Sequence, residues 1–381
     1  MHPPCSRGGP TSLWEAEDSM TALLLIGGGH AHVTALRWLK QNPQSHLTIT
    51  LLTPDSRSVY SGMVPGFVAG HFAREEVEID LAGLCRDTGT VLIEEAASHL
   101  DVDSQFVTTG SGRQIPYDLA SIDVGIVSQP PTASNYPDSI AVKPMAGFLD
   151  HWEAISGATG AKDIAIIGAG LGGVELALSV QHALKSTSGA QAKTVSLIER
   201  NKTILPHAAS SLQQHLRKRL VQAGISILES AEPASWQDNV LHLTDSHSIK
   251  ADHVFWVAGA APYDWLSSSE LQAEEAFPLV HASLQSVSHP NVFIAGDTAR
   301  FEDKYISRAG VYAVRQGPIL MRNLAARAKG DPLETYSPQK DYMKLVSLGS
   351  KDAVAEKWGV TLSLPGLWTL KRKIDQAFVR G

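Results

Sequence analysis

Apolar residues along this chain gather in short unbroken runs that end in glycine turns, and one such unit occurs twice. In the middle of the chain, Ile164, Ala165, Ile166 and Ile167 suit a strand buried on both faces. Gly168, Gly170 and Gly173 follow at G-x-G-x-x-G spacing, and residues 174–180 take up helical periodicity. Each glycine has a physical task. Gly168 allows the tight turn, Gly170 lets a pyrophosphate approach the backbone, and Gly173 lets helix and strand pack closely. The phosphates would rest on free N–H groups at the helix N-terminus. A further strand over residues 194–198 leads into Glu199, an acid about 25 residues on, where such a unit carries its ribose-binding carboxylate.

Near the start, residues 22–26 form another all-apolar strand that enters Gly27-Gly28-Gly29-His30-Ala31-His32. A helical pattern runs on through Trp38 and Leu39, and a strand over residues 47–52 follows. This copy is imperfect. His32 takes the third glycine position, and the strand ends at Thr53 with Asp55 beyond it, so the ribose acid is displaced or missing. The spacing of His30 and His32 can suit a metal, yet no Cys/Asp/Glu cluster accompanies them. A polar neighbour of the ligand, or a packed side chain, is the simpler expectation. Two copies of the unit predict two dinucleotides, one per domain.

Between and beyond these units the pattern changes. Residues 58–70 are too rich in Gly and Pro for a regular element and too apolar for a solvated loop. Tyr60, Met63, Pro65 and Phe67 there either cover a flat ring or pack as a connection. Asp80 is placed to cap a short helix that holds Cys85 among apolar neighbours and stops at Gly89. Short strands fill residues 91–125, with a turn at residues 110–112 and an end at Gly125. Pro130, Pro131 and Pro137 mark a linker, and a helix is expected over residues 146–155. Later come a helix over residues 208–223 stopped by Gly224, and a strand over residues 253–257 that runs into Ala258-Gly259-Ala260. A strand then ends in Gly296 and Asp297, before a helix over residues 311–328 whose N-terminal dipole faces whatever Asp297 holds. Finally, Leu367, Leu370, Ile374 and Phe378 form an apolar stripe at helical spacing, with Lys371, Arg372, Lys373 and Arg380 crowding the other surface. That suits a helix lying on a membrane, or one docked on the body or on a second copy in a homodimer.

Composition narrows the setting. A chain of 381 residues has room for two or three domains, and 43% hydrophobic with 19% charged residues is a globular balance. A net charge of -7 argues against a nucleic-acid partner. The two cysteines, Cys5 and Cys85, cannot build a disulfide framework, which suits a reducing compartment. No apolar run reaches membrane-spanning length. Residues 1–19 carry Pro3, Pro4, Gly8, Gly9 and Pro10, and are expected to be a disordered leader ahead of a start at Met20. The expected location is cytoplasmic, with the last helix as the route to the inner face of a membrane.

With both turns, Ala258-Gly259 and Ala295-Gly296-Asp297 in place, the chain resembles flavoproteins with two dinucleotide-binding domains, the pyridine nucleotide-disulfide oxidoreductase superfamily. Within it the chain is similar to the type II NADH dehydrogenase-like branch, and more narrowly to the flavoprotein module found beside, or fused to, selenide, water dikinase. The narrow match rests on GGGHAHV from Gly27, YSGMVPG from Tyr60, WVAGAAP from Trp256, AGD from Ala295 and AGVYAVRQGP from Ala309. The resemblance implies an α/β fold of two Rossmann-like, glutathione-reductase-type domains, the second inserted in the first. Residues 20–143 and 281–335 would bind FAD, residues 144–280 NAD(P)H, and residues 336–381 would form a C-terminal segment.

The resemblance also implies roles. Gly27, Gly29 and His30 would hold the FAD pyrophosphate, with Met63, Pro65 and Gly125 at the same cofactor and Asp297, after Gly296, on the ribityl chain. The helix starting near Gly310 would aim its N-terminus at the N1/O2 edge of the flavin, where reduced flavin is anionic. Gly168, Gly170, Gly173, Glu199 and Gly259 would bind the nicotinamide cofactor. Glu199 favours NADH by repelling a 2'-phosphate, while Arg200 keeps NADPH open. Glu175 matches the family's acid near the nicotinamide–flavin contact, or serves as an N-terminal helix charge. No cysteine pair is present for a redox-active disulfide. The helix from Gly310 also lacks the alanine–glutamine signature that type II NADH dehydrogenases carry at the quinone mouth. The electron acceptor, a quinone or a sulfur or selenium species, stays open, as does a role as a flavin-binding partner in selenium metabolism.

Overall fold

The computed structural model describes residues 20–130, 132–158, 162–187 and 194–381. The expected leader at residues 1–19, with Cys5, and Pro131 of the linker lie outside the described residues.

The two apolar-run units become the centres of two five-stranded sheets. In the first, Thr21–Ile26 pairs in parallel with Leu47–Thr53 on one side and Leu119–Ile122 on the other. Val91–Glu94 and Val292–Ile294 complete its edges. In the second, Ile164–Ile167 lies between Val195–Glu199 and His253–Trp256, with Ser226–Glu229 and Ile140–Ala141 outside them. Each sheet therefore reverses its direction of growth beside its central strand. That switch point opens a crevice at the carboxyl ends of the strands, where open parallel sheets bind ligands. Each sheet also carries a three-stranded antiparallel excursion: Ala97–Asp101 with Phe106–Thr109 and Gln114–Pro116, and Pro233–Gln237 with Val240–Leu243 and Ser248–Lys250. The duplication read from the glycine turns thus extends to whole-domain topology. Because Val292–Ile294 returns to the first sheet after the second is complete, the second unit is inserted in the first.

Helix ends follow the expected chemistry. The Asp80 side chain accepts the Gly83 N–H at 2.9 Å and caps Leu81–Thr88, which ends at left-handed Gly89 with φ of 68°. Cys85 on that helix is buried in the first core, and burial pushes its thiol up to about 11. Ser210–Ala223 stops at Gly224, also left-handed.

Two expectations are corrected. Residues 58–70 are not irregular: Ser61–Met63 forms a 3-10 turn and Val64–Val68 a short helix. Pro65 sits in its first turn, where the missing N–H costs nothing. Met63, Val64, Phe67 and Val68 supply the buried face that holds the segment against the second core. The last helix, Leu367–Arg380, does dock on the body, but through only one end of its apolar stripe: Phe378 packs against the first core, 4.7 Å from the Tyr60 ring. Lys371 and Asp375 point inward, whereas Leu370 and Ile374 are 42% and 46% exposed. Ahead of it, Lys344–Ser347, Ala353–Lys357 and Val360–Leu362 form a small antiparallel sheet. Among the described residues no helix is long and apolar enough to cross a membrane.

Candidate active site

At the first turn, Gly27 has φ of 96° and its carbonyl accepts a hydrogen bond from His32 Nδ1 at 2.7 Å. His32 Nε2 meets Ser121 Oγ at 2.8 Å, so both ring nitrogens are engaged. This explains the imperfect motif. A glycine at the third position would bring helix and strand together by being small; His32 fills that space and ties the turn to the neighbouring strand with two hydrogen bonds. Burial pushes its pKa down to about 4, so the ring is neutral. The helix His30–Gln41 obtains its close approach elsewhere: a Cβ on Gly317 would overlap Thr34 Oγ1 and the Ala31 carbonyl of the facing helix.

His30, one step into the turn, is also held neutral by burial, its pKa down to about 4, and its Nε2 is buried without a partner. An orphaned ring nitrogen at a helix N-terminus is a polar atom waiting for a ligand group. Its ring packs between Tyr60 and Phe378, at centroid distances of 5.4 and 5.8 Å. Asp55, the displaced acid, is exposed beyond the strand end.

The second half of this site comes from far along the chain. Gly296, with φ of 66°, donates its N–H to Gln316 Oε1 at 2.7 Å. Gln316 belongs to Gly310–Lys329 and is buried, so it builds the Gly296–Asp297 turn. Asp297 receives Lys143 Nζ at 2.8 Å, and Arg308 Nε donates to the Asp297 carbonyl at 3.1 Å. Lys143 lies on the segment entering the second unit, so this ion pair ties the two units together. A second tie is the antiparallel pairing of Val127–Ser128 with Ala260–Ala261. Gly125 and Gly259 flank it in left-handed conformation, with φ of 71° and 72°, and Thr298 Oγ1 donates to the Gly125 carbonyl. Gly310 opens its helix opposite Ser61, whose Oγ is the nearest atom to a notional Cβ at 3.9 Å. Met63 and Pro65 lie behind that loop in the apolar core, Met63 only 1% exposed.

The second turn separates its glycines by task. Gly168 has φ of 104° and would bring a Cβ within 2.9 Å of Ala258. A Cβ on Gly173 would overlap the Gly168 carbonyl oxygen, whereas one on Gly170 would meet nothing within 4 Å. Gly173 is needed for packing, and Gly170 faces open space above the helix N-terminus. Glu199, buried at its strand end, accepts the Ala169 N–H at 2.9 Å through Oε2. Its Oε1 accepts the Asn201 N–H and the Asn201 side-chain amide at 2.9 and 2.6 Å. The carboxylate is thereby fixed at the turn.

Glu175 sits one turn further along the same helix. Its Oε1 accepts the Ser347 N–H at 2.7 Å, which ties this helix to the C-terminal sheet. Burial pushes its pKa up, against the pull of Lys371 and the Ser347 amide and with a smaller push from Asp375. Lys371 Nζ donates to Asp375 Oδ2 and to the Gly62 carbonyl, both at 2.7 Å, and Tyr60 donates to Asp375 Oδ1 at 3.3 Å. A buried polar cluster therefore joins the central helix, the 60–63 loop and the last helix. The pattern along the chain did not single out Lys143, Gln316, Asp375 or Asp123 for the site. The one legible signal was Asp123, a lone acid between an all-buried strand and Gly125.

Comparison with known proteins agrees with this geometry. The family model described as pyridine nucleotide-disulphide oxidoreductase matches residues 21–317. NADH dehydrogenase-like protein YutJ of Bacillus subtilis is 23% identical over 346 residues, covering 87% of this chain and 91% of its own length. A type II NADH:quinone oxidoreductase of Haemophilus influenzae is 25% identical over 208 residues, 50% of this chain and 46% of that protein. Among solved structures, NDH2 of Plasmodium falciparum in complex with NADH superposes with a TM-score of 0.76 at 12% identity, covering 94% of this chain and 97% of that one. The sulfide:quinone oxidoreductase of Aquifex aeolicus gives 0.76 at 16% identity, covering 94% and 91%.

Proposed function

The chain belongs to the pyridine nucleotide-disulphide oxidoreductase family, and from that premise we propose that it is an FAD-dependent NAD(P)H oxidoreductase that works without a redox-active disulfide. The observation that carries the reading is the pair of glycine turns, each at the switch point of a parallel sheet, in two units joined by the Lys143–Asp297 ion pair. The residues fit the two cofactors. The orphaned His30 Nε2 and the Asp297 carboxylate face the first site, and the open space over Gly170 fits a pyrophosphate at the second. Bound FAD supplies the hydride acceptor and passes on the electrons that NAD(P)H brings.

The chain's own groups bind and orient. His30 and the helix amides of the first turn hold the FAD pyrophosphate, and Asp297 takes a ribityl hydroxyl. Glu199, clamped by Ala169 and Asn201, accepts the ribose hydroxyls of the nicotinamide cofactor and favours NADH over NADPH. Glu175 closes the nicotinamide end of the site. With no cysteine pair, and Cys85 buried with its thiol raised, electrons leave to an external acceptor. That acceptor is a small molecule, with sulfur or selenium species favoured by the narrow motif resemblance and quinone as the rival. Mixing NADH with the purified yellow protein without oxygen tests the first half: bleaching of the visible flavin absorbance is expected, and an unbleached flavin refutes the hydride step. Retained flavin with negligible NADH oxidation, and a stable complex with selenide, water dikinase, would favour the partner-protein role instead.

Exposed apolar side chains in the C-terminal segment favour contact with a membrane as a second feature. Trp358, Val360, Leu362, Leu364, Leu370 and Ile374 are all exposed, and Lys373 beside them is exposed too. On the last helix, exposed Leu370 and Ile374 beside exposed Lys373 suit insertion at an anionic lipid interface. Leu370→Glu with Ile374→Glu is expected to abolish sedimentation with anionic liposomes while leaving NADH oxidation in solution unchanged.

A further inference from the structure

Asp123 has no task in the reading above, yet it occupies the centre of the first site. Its backbone carbonyl accepts the Gly29 N–H at 3.0 Å. Its Oδ2 accepts the Ala31 N–H at 2.8 Å and the His32 N–H at 3.2 Å. A Cβ on Gly29 or on Gly296 would overlap this carboxylate, so glycines from two distant segments are shaped around it. The amides it holds belong to the first turn of the helix, the donors that an anionic ligand at a helix N-terminus draws on. The orphaned His30 Nε2 beside them marks the same place as unfinished.

We propose that Asp123 is a cofactor-site residue that competes with the FAD pyrophosphate for these amides, and that it must take up a proton before the flavin seats. The proposal rests on the FAD reading of the first turn. An ionised carboxylate and a pyrophosphate on the same donors repel one another. The neutral acid keeps its shape and gains an O–H that a phosphate oxygen can accept. The surrounding groups offer Asp123 no counter-charge of its own. From the turn helix, His30 and His32 are both held neutral, and Arg37 acts on His30. From the 296–298 turn comes Asp297, a like charge already paired with Lys143. From the helix behind it, Gln316 is neutral and engaged with Gly296. Burial pushes Asp123 up to about 7 against the pull of its two amide bonds, with Asp297 adding to the push. The exchange therefore falls in an accessible range. Above it, apoprotein with ionised Asp123, one proton and one FAD combine to give the complex with neutral Asp123; below it no proton is taken up.

The test is FAD binding to the apoprotein, followed by quenching of flavin fluorescence from about pH 6 to about pH 9. The wild-type Kd is expected to be flat below about pH 7 and to weaken by up to about tenfold per pH unit above it. Asp123→Asn keeps an acceptor oxygen for both amides and cannot ionise, so its Kd should not follow pH. Calorimetry on the wild type alone, at about pH 8.5 in two buffers of different ionisation heat, should read close to one proton taken up per FAD. That measurement needs no variant to fold. A wild-type Kd that ignores pH, an Asn variant with the same slope, or no proton uptake overturns the proposal and leaves the flavin reading intact. No FAD binding at any pH overturns both.

Discussion

Two glycines three positions apart in the central turn should respond to the same substitution in opposite ways. A methyl on Gly173 would overlap the Gly168 carbonyl oxygen and lie 3.0 Å from its carbon, both backbone atoms of a turn that Ala258 also constrains. Relief requires moving the helix Leu171–Thr187 off its strand, and overpacking of this kind costs about 1–3 kcal/mol. For a domain of this size that lowers Tm by roughly 2–12 °C. Gly170 has no atom within 4 Å of a notional Cβ, and its φ lies outside the left-handed region. Gly170→Ala should therefore leave the fold intact or stabilise it by about 0.4–1 kcal/mol through the unfolded chain. Its cost appears only when a pyrophosphate needs the space. Losing one charge-assisted hydrogen bond there removes roughly 1.5–3 kcal/mol, or about ten- to a hundredfold in Kd for NADH. Thermal unfolding of the two variants, beside NADH titration of the anaerobic flavin absorbance, separates the effects. If Gly170→Ala binds NADH as tightly as the wild type, the central turn does not hold the pyrophosphate, and the assignment of the second site fails.

Glu199→Gln replaces one acceptor oxygen with a donor facing either the Ala169 or the Asn201 N–H; KM for NADH should rise about tenfold and the preference over NADPH should narrow, checked by steady-state kinetics with both cofactors. Lys371→Met leaves the buried Asp375 carboxylate without its partner at 2.7 Å and should cost about 3–5 kcal/mol in denaturant unfolding. Adding Asp375→Leu should recover most of that loss, and a double variant no better than the single refutes the pairing argument. The apoprotein should lose stability as pH rises from about 4 to about 7, because Asp123, raised to about 7 when folded, binds its proton more tightly there than in the unfolded chain. The loss is on the order of 4 kcal/mol and levels off above pH 7. Asp123→Asn lacks this term, so parallel stability–pH curves for the two proteins would refute it.

How far the sequence carries the structure depends on whether the deciding contact is local. The apolar runs and glycine spacing are local, and they located both central strands, both turns, and the helices closed by Gly89 and Gly224. The tasks of Gly168 and Gly173 were also legible, because a turn and a helix–turn packing contact follow from the spacing within a few residues. Asp123 was not legible in the same way: its amide partner Ala31 is 92 positions away, and an acid after a buried strand reads equally well as a solvent-facing end. Glu175 is named through the family resemblance, and the Ser347 amide that fixes its side chain lies 172 positions on, beyond any local pattern. The last helix shows the limit most clearly. Periodicity gives the width of an apolar stripe and not the side that faces the body. That choice is made by the Gly62 carbonyl, the Tyr60 hydroxyl and Glu175, which together offer Lys371 and Asp375 a polar seat that no apolar stripe could satisfy. A buried carbonyl and a buried acid left without those partners would cost more than the burial of Leu370 and Ile374 returns, so the helix turns its charged pair inward and leaves these two outside, while Phe378 still packs on Tyr60.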